Sequence, residues 1–158
     1  MGIESSLIAP IDGRQSPAAR DIARGSCRRL AQHAIVCLPE LPLANGLRAD
    51  LVGMTDSGDI VIVEIKSSVV DFRSDGKWAG YRDFCDRLYF AVAPDFPISI
   101  LPPDTGLIVA DRFGGEIVRE APEHRLAGAR RKAVTLRFGR AAAARLHGIC
   151  DPQAALEL

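Results

Sequence analysis

The chain has 158 residues and a mass of 17.0 kDa, a length that suits one domain with a substantial core. Hydrophobic residues make up 47% and charged residues 25%, a balance that excludes a disordered or fibrous chain. The formal net charge is +0, so the total alone announces no polyanionic partner, and no apolar run approaches the roughly 18 residues of a membrane helix. Cys27, Cys37, Cys85 and Cys150 make no C-x-x-C pair and read as small buried hydrophobes of a reducing cytosol. No basic start followed by an apolar run is present, so no secretory signal is expected and the expected location is cytoplasmic. His33, His124 and His147 form no ligand cluster, which argues against a transition-metal enzyme.

Residues 1–15 are expected to be loosely ordered, followed by a single domain over 16–147 and a C-terminal tail over 148–158. Ser16-Pro17 opens a helix to about His33, because Ser caps well and Pro suits the first helical position. Ile22, Ala23, Cys27, Leu30 and Ala31 recur at helical spacing. Arg20, Arg24, Arg28 and Arg29 cover the remaining surface, as a solvated face or as phosphate contacts. Ala34–Leu38 reads as the first strand. Glu40 follows in a loop between Pro39 and Leu41-Pro42, either as a solvent carboxylate or as a third acid for a site on the next two strands.

Those strands, about Leu47–Met54 and Asp59–Lys66, are rich in Val, Ile and Leu and are joined by Thr55-Asp56-Ser57-Gly58. Alternation puts Ile60, Ile62, Glu64 and Lys66 on one face and Val61, Val63 and Ile65 on the other. A hairpin turning about Ser57 sets Asp50 opposite Glu64 and Arg48 opposite Lys66, with facing Cβ atoms about 5 Å apart. Two adjacent carboxylates repel unless a cation sits between them. Hard oxygen ligands suit Mg²⁺, which keeps several waters and takes phosphate oxygens. A lysine beside such a cation can position a water and stabilise charge growing on phosphorus. The alternative for these residues is a salt-bridged, exposed hairpin end.

Residues 67–78 read as a polar loop against this site, with Asp71, Asp75, Lys77 and Tyr81 as candidates to orient a metal shell or a substrate. A helix is expected over Lys77–Asp86, where Trp78, Tyr81 and Cys85 make an apolar stripe suited to core packing. Leu88–Ala93 reads as a buried central strand. Gly106–Ala110 and Glu116–Arg119 are short strands around the Gly114-Gly115 turn. A last helix is expected over Leu126–Leu146, with an irregularity at Gly139. Between Arg125 and Arg145 there are seven Lys or Arg and no acid, the footprint of a polyanion-binding surface or of an ordinary solvated face.

Asp50, thirteen residues, then Glu64-Ile65-Lys66 resembles the catalytic signature of the PD-(D/E)xK nuclease superfamily. That resemblance implies a restriction-endonuclease-like α/β core, a mixed β-sheet flanked by α-helices. Ala49 stands where the superfamily pattern has Pro. More of the chain, roughly residues 20–146, resembles the bacterial MmcB-type DNA-repair family. The likeness rests on Arg48-Ala49-Asp50, Glu64-Ile65-Lys66-Ser67-Ser68, Asp71-Phe72, Asp75-Gly76-Lys77-Trp78, Tyr81, Cys85-Asp86-Arg87-Leu88-Tyr89-Phe90-Ala91-Val92, Gly106-Leu107-Ile108 and Arg130-Arg131-Lys132. It implies a cytoplasmic DNA-repair nuclease dependent on Mg²⁺ or Mn²⁺. Asp50 and Glu64 would hold the metal, with the Ile65 carbonyl and Glu40 as further ligands, and Lys66 would serve the attacking water. Lys77, Arg130, Arg131 and Lys132 would hold DNA phosphates. Branched, damaged or single-stranded DNA is the expected partner, with a repair protein as a second, no membrane, and the oligomeric state left open to a homodimer. The fold also hosts proteins that bind DNA without cutting it, so a non-catalytic DNA-binding or scaffold role is the alternative.

Overall fold

The computed structural model describes residues 15–154. Helix α1 spans Pro17–Ala31. Its cap is the expected one: the Ala19 N–H donates to Ser16 Oγ at 3.1 Å. Its stripe of Ile22, Ala23 and Leu30 is buried. Six strands follow in one sheet: β1 (Val36–Pro42), β2 (Arg48–Met54), β3 (Ile60–Lys66), β4 (Arg87–Val92), β5 (Gly106–Ala110) and β6 (Gly115–Arg119). Their spatial order is their chain order. β1, β2 and β3 pair antiparallel; β3, β4 and β5 run parallel; β6 returns antiparallel. The sheet is therefore mixed, as expected.

Every residue of β3 is buried, because both faces of the sheet are covered. Val61, Val63 and Ile65 pack under α1 with Leu51, Tyr89 and Ile108. On the opposite face Ile60 and Ile62 meet Tyr81, Phe84 and Val134. The alternation read from the sequence thus divides the core into its two layers. Beside the second layer, Phe90 is fully buried and takes the edges of Phe72 and Trp78, with ring centroids 5.7 and 5.4 Å away.

Gly25 fixes how close α1 comes to the β5–β6 turn. A Cβ there would lie 2.0 Å from the Asp111 carbonyl oxygen and 2.4 Å from that of Gly114. Backbone on both sides leaves no soft side chain to yield. Gly25→Ala is expected to cost at least about 1–3 kcal/mol, read as a lower denaturant midpoint at unchanged m-value. Arg28 strengthens the same junction by donating to the Phe113 carbonyl at 2.9 Å, and Arg29 pairs with Glu116 at 3.2 Å. Those two arginines are occupied by structure rather than standing free for phosphate.

Several boundaries differ from the sequence reading. β1 runs to Pro42, so Glu40 belongs to a strand and not to a loop. Proline is tolerated there because β1 is an edge strand. Glu40 adopts a left-handed φ of 48°, and the Arg145 guanidinium holds this bend by donating to the Glu40 carbonyl at 2.8 Å and to the Pro39 carbonyl. Residues expected as a polar loop contain a short helix, α2 (Val69–Ser74), whose cap is Ser68 Oγ accepting from the Asp71 N–H at 3.1 Å. The expected 77–86 helix is a 3₁₀ helix over Trp78–Phe84. The last helix, α3 (Gly128–Cys150), runs unbroken through Gly139 and beyond the expected tail boundary at 148. Its alanine-rich turns offset the roughly 1 kcal/mol that one interior glycine costs. Of the four cysteines only Cys85 is buried; Cys27 and Cys37 are half-buried and Cys150 is exposed. The expectation of a loose start falls on residues that lie, except Gln15, outside the described ones. Among the described residues no helix is long and apolar enough to cross a membrane.

Candidate active site

The β2–β3 ladder pairs Leu51 with Val63 and Val52 with Ile62, the frame that sets Asp50 opposite Glu64. At that end the ladder gives way to a side-chain clamp. The Ile65 N–H donates to Asp50 Oδ2 at 2.7 Å, in place of a backbone carbonyl. Asp50 is thereby held beside Glu64. Lys66 Nζ lies 3.2 Å from Glu64 Oε1 and also pairs with Asp75, which α2 and its C-terminal turn bring back over the strand end. Lys66 is 3% exposed and Glu64 6%. The Tyr81 hydroxyl donates to the Arg48 carbonyl at 2.9 Å and pins the 3₁₀ helix to β2 two residues from Asp50.

A cleft of about 260 Å³ opens at this point. Asp50, Glu64, Lys66 and Asp71 line one side, and Gln15, Ser16 and Ala19 at the start of α1 line the other. A helix N-terminus carries partial positive charge and unsatisfied N–H groups, so this wall favours an anion. No sequence pattern announced it, because tertiary packing alone carries α1 to the end of β3.

The electrostatics are those of a cation-seeking pair. Burial, reinforced by the charge of Asp50, pushes the Glu64 carboxyl up to about 9. Burial also raises Asp50, against the opposing hydrogen bond from Ile65. Burial works to lower the Lys66 ammonium, but the Glu64 and Asp75 carboxylates outweigh it and keep Lys66 raised. Asp75 is lowered: the Lys66 ammonium and the Lys77 N–H overcome its own burial. Lys66 therefore stays charged at neutral pH.

These residues fit a divalent cation. Glu64 Oε2 is buried and has no hydrogen-bond partner among the described residues. Such an orphaned carboxyl oxygen is costly unless a cation, or the proton that the raised Glu64 carboxyl favours, meets it. No group of three His, Cys, Asp or Glu converges as a metal cage among the described residues. Two carboxylates with the rest of the shell left to water and substrate is the habit of Mg²⁺ rather than of structural zinc.

The remaining candidates divide. Glu40 is buried on β1, 3.8 Å from Arg48, and is not part of the cleft lining. Lys77 is exposed beside Asp75, whose Oδ1 accepts its N–H at 2.8 Å. Lys132 is exposed on α3. Arg130 stacks over Phe84, its guanidinium carbon 4.6 Å from the ring centroid. Arg131 does not stand free for phosphate: it clasps buried Asp86 with two hydrogen bonds of 2.6 Å and donates to the Gly58 carbonyl at 3.0 Å.

Residues 7–153 match the model of a family described as DNA repair protein MmcB-like. The chain belongs to this MmcB-like family. A solved structure, the SPO1766 protein of unknown function from Silicibacter pomeroyi, is 43% identical to it. The likeness covers 89% of this chain and 96% of that one, with a TM-score of 0.85. No curated protein matches the chain.

One residue of this MmcB-like chain escaped sequence reasoning. Asp86, 1% exposed, accepts from the Ile60 and Leu126 N–H groups, each at 2.8 Å, and from Arg131. It ties β3, the segment leading into α3, and α3 itself to the start of β4. Beyond its place in the family-like stretch over 85–92, its signal was an acid ahead of an apolar strand, which is common.

Proposed function

We propose that this MmcB-like protein is a Mg²⁺-dependent DNA nuclease of the PD-(D/E)xK kind, with Mn²⁺ as the substitute metal, hydrolysing phosphodiesters during DNA repair. The observation that carries the reading is the buried, unpartnered Glu64 oxygen beside Asp50 and Lys66 in an open cleft. Asp50 and Glu64 would hold the metal, which when bound supplies Lewis-acid polarisation of the phosphate. The Ile65 N–H fixes the rotamer of Asp50. Asp75 keeps the Lys66 ammonium charged and aimed at Glu64. A charged Lys66 is suited to position the attacking water and to stabilise charge growing on phosphorus. Lys77, next to Asp75, is suited to a phosphate near the scissile bond, and Lys132 on α3, toward the Ile60 end of β3, to phosphates further along the DNA. The family description supports DNA as the partner. The acidic cleft alone would repel DNA without a bound cation.

A second reading, a non-catalytic DNA-binding repair scaffold, draws on one observation. The Lys66 ammonium is nearly inaccessible and already held by two carboxylates. Labelled branched, single-stranded and duplex DNAs, each incubated with the protein in Mg²⁺, Mn²⁺ or EDTA, separate the two. Cutting that requires a divalent metal is expected. Tight binding that is independent of metal, steeply salt-dependent and accompanied by no cutting would move the assignment to the scaffold.

A further inference from the structure

Helix α3 is 23 residues long, yet Val134 is its one residue classed as buried among those described. It carries six Lys or Arg and no acid. Along one flank it forms two adjoining grooves with the β1–β2 connection, of about 420 and 360 Å³, which share Ala133 and Arg137. Leu43, Phe84 and Val134 floor the first; Leu41 and Ala141 floor the second. Arg130, Arg137 and Arg140 stand along the rim. Among the described residues neither Arg137 nor Arg140 has an ion-pair partner, and both are exposed. From Ala129 to Ala141 the trough runs roughly 18 Å, at 1.5 Å per helical residue.

We propose that this trough docks a short acidic, amphipathic peptide segment of a partner protein. Its apolar side chains would fill the floor and its carboxylates would pair with Arg137 and Arg140. An arginine fork matches a carboxylate in bidentate geometry. An apolar floor between the forks is what a peptide anchor residue needs. A DNA backbone presents phosphates and sugars, gains little from covering Leu41, Leu43 and Phe84, and would leave the floor wet. Two copies of this chain facing each other through α3 are disfavoured, since two all-basic helices repel. Lys132, assigned above to DNA, lies roughly 200° around the helix from Arg130 and outside the trough. The trough shares no lining residue with the cleft, so the docking proposal does not rest on the cleft chemistry.

The test is a selection of random dodecapeptides, displayed on phage, against the full chain. The enriched peptides are then measured by fluorescence anisotropy. Peptides combining Asp or Glu with Leu, Ile or Phe are expected. Arg137→Glu and, independently, Ala133→Trp should each weaken them at least about tenfold, whereas Lys132→Ala and Glu64→Gln should leave them unchanged. All substituted α3 positions are exposed, and a thermal melt confirms that each variant folds. Enriched peptides without acids, or binding indifferent to both trough variants, would overturn the proposal. So would duplex DNA that displaces the peptides and itself loses at least about tenfold affinity in Arg137→Glu.

Discussion

Lys66→Ala is expected to lower metal-dependent cutting by at least about 10²–10³-fold while DNA affinity stays within about threefold. The split follows from where the ammonium sits. It is 3% exposed, between Glu64 and Asp75, so it offers little surface to a DNA backbone, yet it adjoins the carboxylates that would hold the metal. On the proposed reading its work would be confined to the reacting centre and would appear in kcat rather than in binding. Removing it also strands Asp75 and Glu64, so a melting curve at the assay temperature accompanies the kinetics. Equal losses in affinity and turnover, in a protein that remains folded, would remove Lys66 from the positioning role.

The largest effect on stability is expected at Asp86. Asp86→Ala should cost about 3–5 kcal/mol, because it leaves the Arg131 guanidinium facing an empty acceptor site and strips acceptors from the Ile60 and Leu126 N–H groups. For a chain of this length that is a fall of roughly 6–20 °C in Tm. The same contacts set a pH dependence. Burial works to raise the Asp86 carboxyl, but Arg131 and the two N–H donors outweigh it and hold it below its ordinary value. A depressed folded-state pKa means stability that is fully present above the unfolded value of about 3.9 and is lost as pH falls through the folded one. The native protein should therefore lose stability more steeply than Asp86→Asn on acidification below about pH 4. Parallel acid profiles would contradict this. Arg131→Ala should behave as a folding mutant, and any loss of DNA binding it causes must be read beside its melt.

The parts of this structure visible in the sequence are those set by local periodicity. Alternation in residues 60–66 fixed which residues face which layer, and the polar turn at 55–58 fixed the frame that brings Asp50 toward Glu64. The α1 cap was legible because Ser16-Pro17 acts within one turn of chain. What escaped depends on distant partners. Glu40 reads as a loop residue after Pro39, yet its strand continues because Arg145, 105 residues away, braces the bend. Arg131 reads like its neighbours Arg130 and Lys132, and only the position of Asp86, 45 residues earlier, turns it inward. The 3₁₀ winding of Trp78–Phe84 serves the seating of Trp78 on Phe90 and of Tyr81 on β2, contacts that no seven-residue window contains. At the cleft, the carboxylates and the lysine were legible, but the wall formed by the start of α1 was not.

On the proposed reading, Asp50 and Glu64 form a metal-dependent hydrolytic centre served by Lys66. The most direct measurement is single-turnover cleavage of a labelled branched DNA in Mg²⁺, comparing the native chain with Asp50→Ala and Glu64→Ala purified in parallel. Cutting by the native chain, abolished by EDTA and by either substitution while both variants stay folded and bind the DNA, is the predicted result. Cutting that persists in the variants, or its absence from the native chain with every divalent metal and substrate tried, would contradict the account.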